Sequence, residues 1–449
     1  MLERKAYKEL LNWKNTQQGQ SALLIEGARR VGKSLLAEEF GKREYRSYLL
    51  IDFSKAAEDV KNLFRTKRED LDSFFSFLSV YYNTAFYERE TLLIFDEVQL
   101  FPEARSFIKH LVADGRYDYL ETGSLISIKR NVQDILIPSE EETLELNPFD
   151  FDEFLWAIDE RALANLLRET AASLTPLPVL LHRKAMELFR TYILVGGMPQ
   201  AVTTYAESLD FLRVDAVKQR ILTLYRNDIK KYAGEDQARV GAILDDIPAQ
   251  LSTHEKKFKL ASLEKGARSR TYENAFFWLE DARITNTCFN ATDPHVGLSL
   301  YKESPRFKCY LADTGLLSSL VFSDKKTQSA QLYKDILFGK LEINEGMLME
   351  NMVAQMLKAS GHSLYFYSRY SKEAAADRME VDFLITQEFP KTKVCPIEVK
   401  STKRYATSSL DKFKAKFTSR VGTQYVLHTQ NIKKEAGRNY LPLYLTPYF

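Results

Sequence analysis

The sequence predicts a multidomain α/β protein: a doubly wound parallel sheet first, then a helical region, then a second, smaller α/β unit. Three observations carry this prediction. The apolar run Ala22-Leu23-Leu24-Ile25 leads into a glycine loop, Gly27-Ala28-Arg29-Arg30-Val31-Gly32-Lys33-Ser34, and Leu35 to Phe40 then follow with helical spacing. A second apolar run, Leu92-Leu93-Ile94-Phe95, ends on Asp96-Glu97. Near the C-terminus, two strand-like runs carry Asp382 and then Glu398-Val399-Lys400. A chain of 449 residues is too long for one ordinary core, and a 45% hydrophobic content with 28 Phe and 24 Tyr is ample for several.

In chain order, residues 1–20 read as a helix ending near Trp13, followed by the polar loop Asn15-Thr16-Gln17-Gln18-Gly19-Gln20. The first ten residues are charged and lack the apolar centre of a secretory signal, and no apolar run nears the roughly 20 residues of a membrane span. A soluble, cytoplasmic protein with no membrane contact is expected. Cys288, Cys309 and Cys395 are scattered and odd in number, which points to buried apolar residues rather than a disulfide framework or metal cluster. With a net charge of +2, any affinity for nucleic acid must come from local patches.

Strand, glycine loop and helix in that order make a P-loop. Its backbone N–H groups turn onto a phosphate chain at a helix N-terminus, where the helix dipole favours negative charge. The expected cradle for ATP is Gly27, Arg29, Arg30, Val31, Gly32, Lys33, Ser34 and Leu35, with Lys33 on the β- and γ-phosphates and Ser34 on Mg²⁺. Tyr48 to Phe53 reads as the second parallel strand and Phe74 to Tyr87 as a helix. Thr91 to Glu97 has the form of a Walker B strand, delivering Asp96 to the Mg²⁺ shell and Glu97 to the attacking water. The next strand, Tyr119-Leu120-Glu121-Thr122-Gly123-Ser124, ends in small polar residues. Thr122 or Ser124 could sense the γ-phosphate, or the segment could be an ordinary turn.

Together, the glycine loop, Phe95-Asp96-Glu97-Val98-Gln99, Thr122-Gly123-Ser124 and Leu146-Asn147-Pro148-Phe149-Asp150-Phe151-Asp152-Glu153-Phe154 resemble the AAA-type bacterial and archaeal ATPases whose ATPase module precedes a region called domain-of-unknown-function 4143. The resemblance implies an ATPase core over residues 1–155 and a helical lid over 156–235, entered near Gly196-Gly197-Met198-Pro199, although a helix punctuated by Gly and Pro needs no functional explanation. Such ATPases usually carry a Gly-Arg pair before the Pro-Phe segment, whereas this chain has Ile135-Leu136-Ile137-Pro138-Ser139-Glu140. That leaves the arginine finger unassigned, with Arg116 and Arg130 as candidates.

From 236 to 330 the spacing suggests a winged helix: a short helix near Ala261 to Leu263, a turn, a helix from Thr271 to Ala282, then Ile284-Thr285-Asn286. Lys256, Lys257, Lys259, Lys265, Arg268 and Arg270 surround it, suited to DNA phosphates or simply to a solvated face.

In the last segment, 331–449, a helix from Gly346 to Ala359 contains Glu350 and precedes the strands Met379 to Ile385 and Lys393 to Lys400. An acid in mid-strand followed by an acid-x-lysine triplet resembles the PD-(D/E)XK nuclease core, a restriction-endonuclease-like fold. Strand alternation puts Glu398 and Lys400 on one face. The resemblance implies that Asp382 and Glu398 share Mg²⁺ or Mn²⁺, that Lys400 handles a water and that Glu350 assists. Folds of this kind also persist as inert binding modules. The sequence therefore predicts an ATP-hydrolysing protein that couples nucleotide state to DNA engagement or cleavage, with oligomerisation possible. The alternative is a nucleotide-dependent scaffold or switch for a protein partner, with a catalytically inert C-terminal domain.

Overall fold

The computed structural model describes residues 2–123, 140–253, 257–264, 269–322, 333, 345–369, 378–388, 391–435 and 437–449. It falls into two compact units, one of Met1–Asn147 with Asp281–Arg283, the other of Pro148–Glu280 with Ile284–Phe449.

The first unit is built on five parallel strands: β1 (Ala22–Glu26), β2 (Ser47–Asp52), β3 (Thr91–Asp96), β4 (Asp118–Gly123) and β5 (Glu141–Glu145), in the spatial order β2-β3-β4-β1-β5. Its central strands are apolar on both faces because helices cover both. On one face Leu23, Ile25, Ile94 and Leu120 pack against α1 (Ala6–Gln17) and α2 (Lys33–Glu44), through Leu10, Trp13, Leu36 and Phe40. On the other, Leu24, Ile51, Phe95 and Tyr119 meet α3 (Glu58–Thr66), α4 (Leu71–Tyr81) and α5 (Pro102–Asp114). There, edge-to-face aromatic contacts link Phe64 to Phe53, Phe74, Phe95 and Phe107.

Two helices differ in extent from the sequence expectation. α1 runs past Trp13 to Gln17 and stops where Gln18 turns left-handed (φ 46°), since nothing in Lys14-Asn15-Thr16 breaks a helix. α4 begins earlier and ends six residues sooner than Tyr87: the Asp70 carboxylate caps it, accepting from the Ser73 N–H at 3.1 Å, and the chain reverses at Asn83 (φ 48°).

The second unit opens with helices α6 (Phe151–Ala157), α7 (Arg161–Ser173), α8 (Val179–Val195), α9 (Pro199–Ser208), α10 (Phe211–Tyr232), α11 (Gln237–Ser252) and α12 (Ser269–Asp281). The short helix expected near Ala261 is a single 3-10 turn, Leu260–Ser262. An eight-stranded mixed sheet follows: β6 (Thr285–Ala291), β7 (Lys302–Leu311), β8 (Tyr365–Arg369), β9 (Met379–Glu388), β10 (Thr392–Val399), β11 (Gln424–His428), β12 (Lys433–Glu435) and β13 (Arg438–Pro442), ordered β12-β13-β11-β10-β9-β8-β6-β7. The hairpin β6-β7 is thus part of the same sheet as the C-terminal strands, so hydrogen bonding crosses residue 330. α13 (Thr314–Val321) and α14 (Glu345–Ala359) lie between β7 and β8 in sequence, and Met347 to Leu357 of α14 are buried. Asn351 and Gln355 of α14 spend their amides on the β7-α13 corner. The Leu311 N–H donates to Asn351 Oδ1 at 2.8 Å, and the Thr314 N–H to Gln355 Oε1 at 2.7 Å.

Gly196 and Gly197 are there for space. Gly196 has φ +81°, and a Cβ on Gly197 would lie 2.2 Å from the Phe149 carbonyl oxygen. Asp313 ties this turn to α13: one carboxylate oxygen caps the helix at the Leu316 N–H (2.8 Å), the other accepts from the Gly197 N–H (2.6 Å). The glycine-proline turn is a close-packed corner, and no chemistry is needed to explain it.

Candidate functional site

In the parallel sheet β4 lies between β1 and β3, so the carboxyl ends of three strands meet at one point. Register pairs Ile25 with Thr122 and Phe95 with Glu121, bringing the glycine loop after β1, the Asp96-Glu97 step after β3 and Thr122 on β4 together.

Each side chain has a local reason for its position. Arg30 (φ 70°) and Gly32 (φ 100°) are left-handed and curl the loop just before α2. Gly27 passes so close to Leu146 that a Cβ would sit 2.4 Å from its carbonyl oxygen. Val31 is buried beneath the loop, whereas Arg29, Arg30 and Leu35 are exposed. Lys33 is folded back under the loop, its Nζ donating to the carbonyls of Gly27 at 3.0 Å and Ala28 at 3.1 Å. Burial pulls the ammonium below its ordinary value, opposed chiefly by Glu97 and Asp96. A lysine held by loop carbonyls amid carboxylates is poised to exchange those oxygens for phosphate oxygens.

Asp96, buried at the end of β3, accepts from Ser34 Oγ at 2.6 Å and from the Thr122 hydroxyl on the same oxygen, Oδ1. Thr122 in turn accepts from the Glu97 N–H at 3.3 Å. Glu97 is left-handed (φ 56°), a strained conformation for a non-glycine residue, and its carboxylate accepts from the Gln99 side-chain amide. Ser34, Asp96, Glu97 and Thr122 therefore form one hydrogen-bonded chain. Ser124 and Arg130 lie outside the described residues. Arg116 is engaged elsewhere, on Asp114 at 2.7 and 2.9 Å and on Asp72 at 2.7 Å. Sequence reasoning assigned Gln99 no role of its own; a polar residue two places after Glu97 is the signal that was there to read.

The donor set fits ATP with Mg²⁺. A cradle that a Cβ would fill, a buried lysine on exchangeable carbonyls, and a hydroxyl beside a carboxylate are what such a ligand needs.

The second unit gathers a different cluster. Lys308 of β7, fully buried, has its Nζ 2.9 Å from Glu380 Oε1, 3.3 Å from Glu350 Oε1 and 3.8 Å from Asp382 Oδ1. Tyr310, on the same face of β7, donates to the same Glu350 oxygen. Burial alone would lower the lysine, but Glu350, Glu380 and Asp382 outweigh it and hold the ammonium well above its ordinary value. Asp382 Oδ2 accepts from the Val399 N–H at 2.8 Å, and Glu398 is paired with Lys400 at 2.7 Å. Burial raises the Glu398 carboxyl to about 7, with Lys400 opposing and Asp382 assisting.

Asp382 and Glu398, expected to share a metal, are thus divided between two lysines. Among the described residues no group of three His, Cys, Asp or Glu side chains is placed to hold a metal ion. Neither Lys308 nor Glu380 was singled out from the sequence. The signals were a lysine inside the apolar run Phe307-Lys308-Cys309-Tyr310-Leu311, and Glu380 two residues before Asp382 on the same strand face.

Comparison with known families places a model described as an AAA domain on residues 19–155. Domains of unknown function match elsewhere, DUF8612 on residues 186–328 and DUF4143 on residues 345–446. A search of curated proteins found no match. Among solved structures, the Walker-type ATPase PABY2304 of Pyrococcus abyssi is 17% identical, with 72% of this chain and 96% of that one covered and a TM-score of 0.42. The Aeropyrum pernix ORC1 protein in complex with DNA is 12% identical, with coverage of 72% and 93% and a TM-score of 0.26. The replication initiator DnaA bound to AMPPCP and single-stranded DNA is 12% identical, with coverage of 63% and 90% and a TM-score of 0.28. No described helix is long and apolar enough to cross a membrane. Family match and site geometry agree that residues 19–155 form a P-loop ATPase domain of the AAA type.

Proposed function

We propose that this chain hydrolyses ATP with Mg²⁺ in its first unit and couples the nucleotide state to DNA engagement by its second. The single observation that carries the hydrolytic half is the chain of hydrogen bonds from Ser34 and Thr122 to Asp96, with Glu97 beside it and Lys33 under the loop. Lys33 moves from the Gly27 and Ala28 carbonyls to the β- and γ-phosphates, and the loop N–H groups hold the chain in line. Ser34 and Asp96 are the residues that would hold Mg²⁺, which when bound would neutralise charge on the transferring group. Glu97, fixed through Gln99, orients the attacking water and takes its proton. Thr122 keeps Asp96 in place and, beside the γ-phosphate, reports its loss.

The DNA half draws on a second site. α12 and the hairpin β6-β7 follow the helix and wing order of a winged helix. A groove of about 390 Å³ between them is lined by Arg270, Phe277, Phe289 and Lys302, along with Glu273 and Glu280. Lys302 lies 3.5 Å from the centre of the Phe289 ring, and Phe277 is exposed, so cations and aromatic faces stand together as nucleic acid requires. Phosphate release should be measured with and without single- and double-stranded DNA, alongside binding at several salt concentrations. Lys33→Ala should abolish turnover. Replacing Arg270 and Lys302 together should weaken DNA binding and flatten the salt slope by up to about one unit per lost contact. Unchanged DNA affinity and slope would remove the DNA half and leave the ATPase.

One observation favours a second reading, a nucleotide-dependent scaffold for a protein partner with an inert C-terminal domain. Lys308 and Lys400 between them already pair with Glu350, Asp382 and Glu398, the acids that a nuclease would give to metal.

A further inference from the structure

Three carboxylates converge on one point in the second unit: Glu350 from helix α14, and Glu380 and Asp382 from strand β9. Negative charges confined in this way repel, and a protein commonly relieves them with a divalent cation, whose oxygen ligands would be these groups. Here the positive charge comes from the chain itself. The Lys308 ammonium has oxygens of all three acids within 4 Å, and Tyr310 donates a further hydrogen bond to Glu350. The Phe366 ring, its centre 5.0 Å from Nζ, adds an aromatic face beside the ammonium. The other oxygen of Asp382 is held by the Val399 N–H, and the fourth acid, Glu398, is held by Lys400.

We propose that Lys308 is a resident counter-ion that neutralises Glu350, Glu380 and Asp382 in place of a divalent metal and so keeps these acids closed to one in the native chain. Two features support this over a casual ion pair. Lys308 is completely buried, and a lysine is left so only where fixed charges compensate it. It is also tethered. An incoming Mg²⁺, which sheds its water reluctantly, must displace a cation that the backbone of β7 holds permanently at the site. The acid-x-lysine signature in β10 therefore stands beside a closed site, and the expected consequence is a second unit that recognises its partner without cutting nucleic acid. This inference does not depend on ATP hydrolysis in the first unit.

Mn²⁺ titration of the nucleotide-free full-length chain, followed by electron paramagnetic resonance, tests the proposal. The native chain should leave the ion free up to millimolar concentration. Lys308→Met should bind one Mn²⁺ per chain at least about tenfold more tightly, and the double variant Lys308→Met/Asp382→Asn should lose it. Binding by the native chain that Asp382→Asn abolishes would overturn the proposal, as would a folded Lys308→Met that gains no Mn²⁺. If Lys308→Met shows no cooperative melting, Glu350→Gln decides. A resident cation deprived of an acid should lower Tm by about 3 °C or more, whereas relief of repulsion between acids around an empty position should raise it. A rise, or no change, overturns the proposal.

Discussion

At the residue scale, Asp96 Oδ1 takes two hydroxyl donors, Ser34 and Thr122, and they have different fates. In the proposed mechanism Ser34 would give up this bond to ligate Mg²⁺, while Thr122 would go on holding the carboxylate. Thr122→Val keeps the shape and removes that donor, so affinity for Mg·ATP should fall about fivefold, the equivalent of about 1 kcal/mol. A titration of nucleotide against Mg²⁺ concentration checks it. Glu398 makes a second prediction. Its folded value of about 7 stands above the ordinary 4.5, so the folded state holds the proton more tightly than the unfolded one. Stability contributed at this site is therefore present below about pH 4.5 and lost as pH rises to about 7, by an amount on the order of 1–3 kcal/mol. Glu398→Gln should flatten that part of the stability curve in denaturant melts taken between pH 4.5 and 7, and an unchanged slope would count against it.

At the element scale, the corner between α8 and α9 makes the sharpest prediction. Gly197→Ala puts a Cβ 2.2 Å from the Phe149 carbonyl oxygen, with backbone on that side and no flexible side chain to yield. A loss of about 2 kcal/mol, seen as a Tm lower by roughly 4–8 °C, is expected in thermal melts.

The elements also show what the sequence makes legible. β1, the glycine loop and α2 could be read because strand, loop and helix each carry their own local signal, and the same is true of the apolar strand ending on Asp96. The alternation in Met379 to Ile385 and Lys393 to Lys400 likewise gave two antiparallel neighbours, pairing Ile397 with Phe383. What could not be read were contacts made by residues far apart in the chain. Lys308 and Glu380 meet across 72 positions, and no local pattern says that β7 will deliver a lysine to an acid on β9. Pairing of β6 with β8 is non-local in the same way, and the local spacing that suggests a winged helix over 236–330 says nothing of it.

At the scale of the whole molecule, an ATPase domain at residues 19–155 shares the chain with a second unit in which Lys308 pairs with Glu380 and Lys400 with Glu398. The proposed hydrolysis takes place at the Lys33, Asp96 and Glu97 site. Glu97→Gln keeps the volume of the side chain and its reach to Gln99 but removes the base, which should slow the chemical step by about 10²–10⁴-fold and leave nucleotide binding intact. The most direct measurement is a single-turnover experiment with γ-labelled ATP and excess protein, following bound nucleotide and released phosphate together. Rapid phosphate release is expected of the native chain, and ATP should stay bound and uncleaved on Glu97→Gln. Phosphate release at the native rate by Glu97→Gln, or no release by the native chain with ATP bound, would contradict the proposed mechanism.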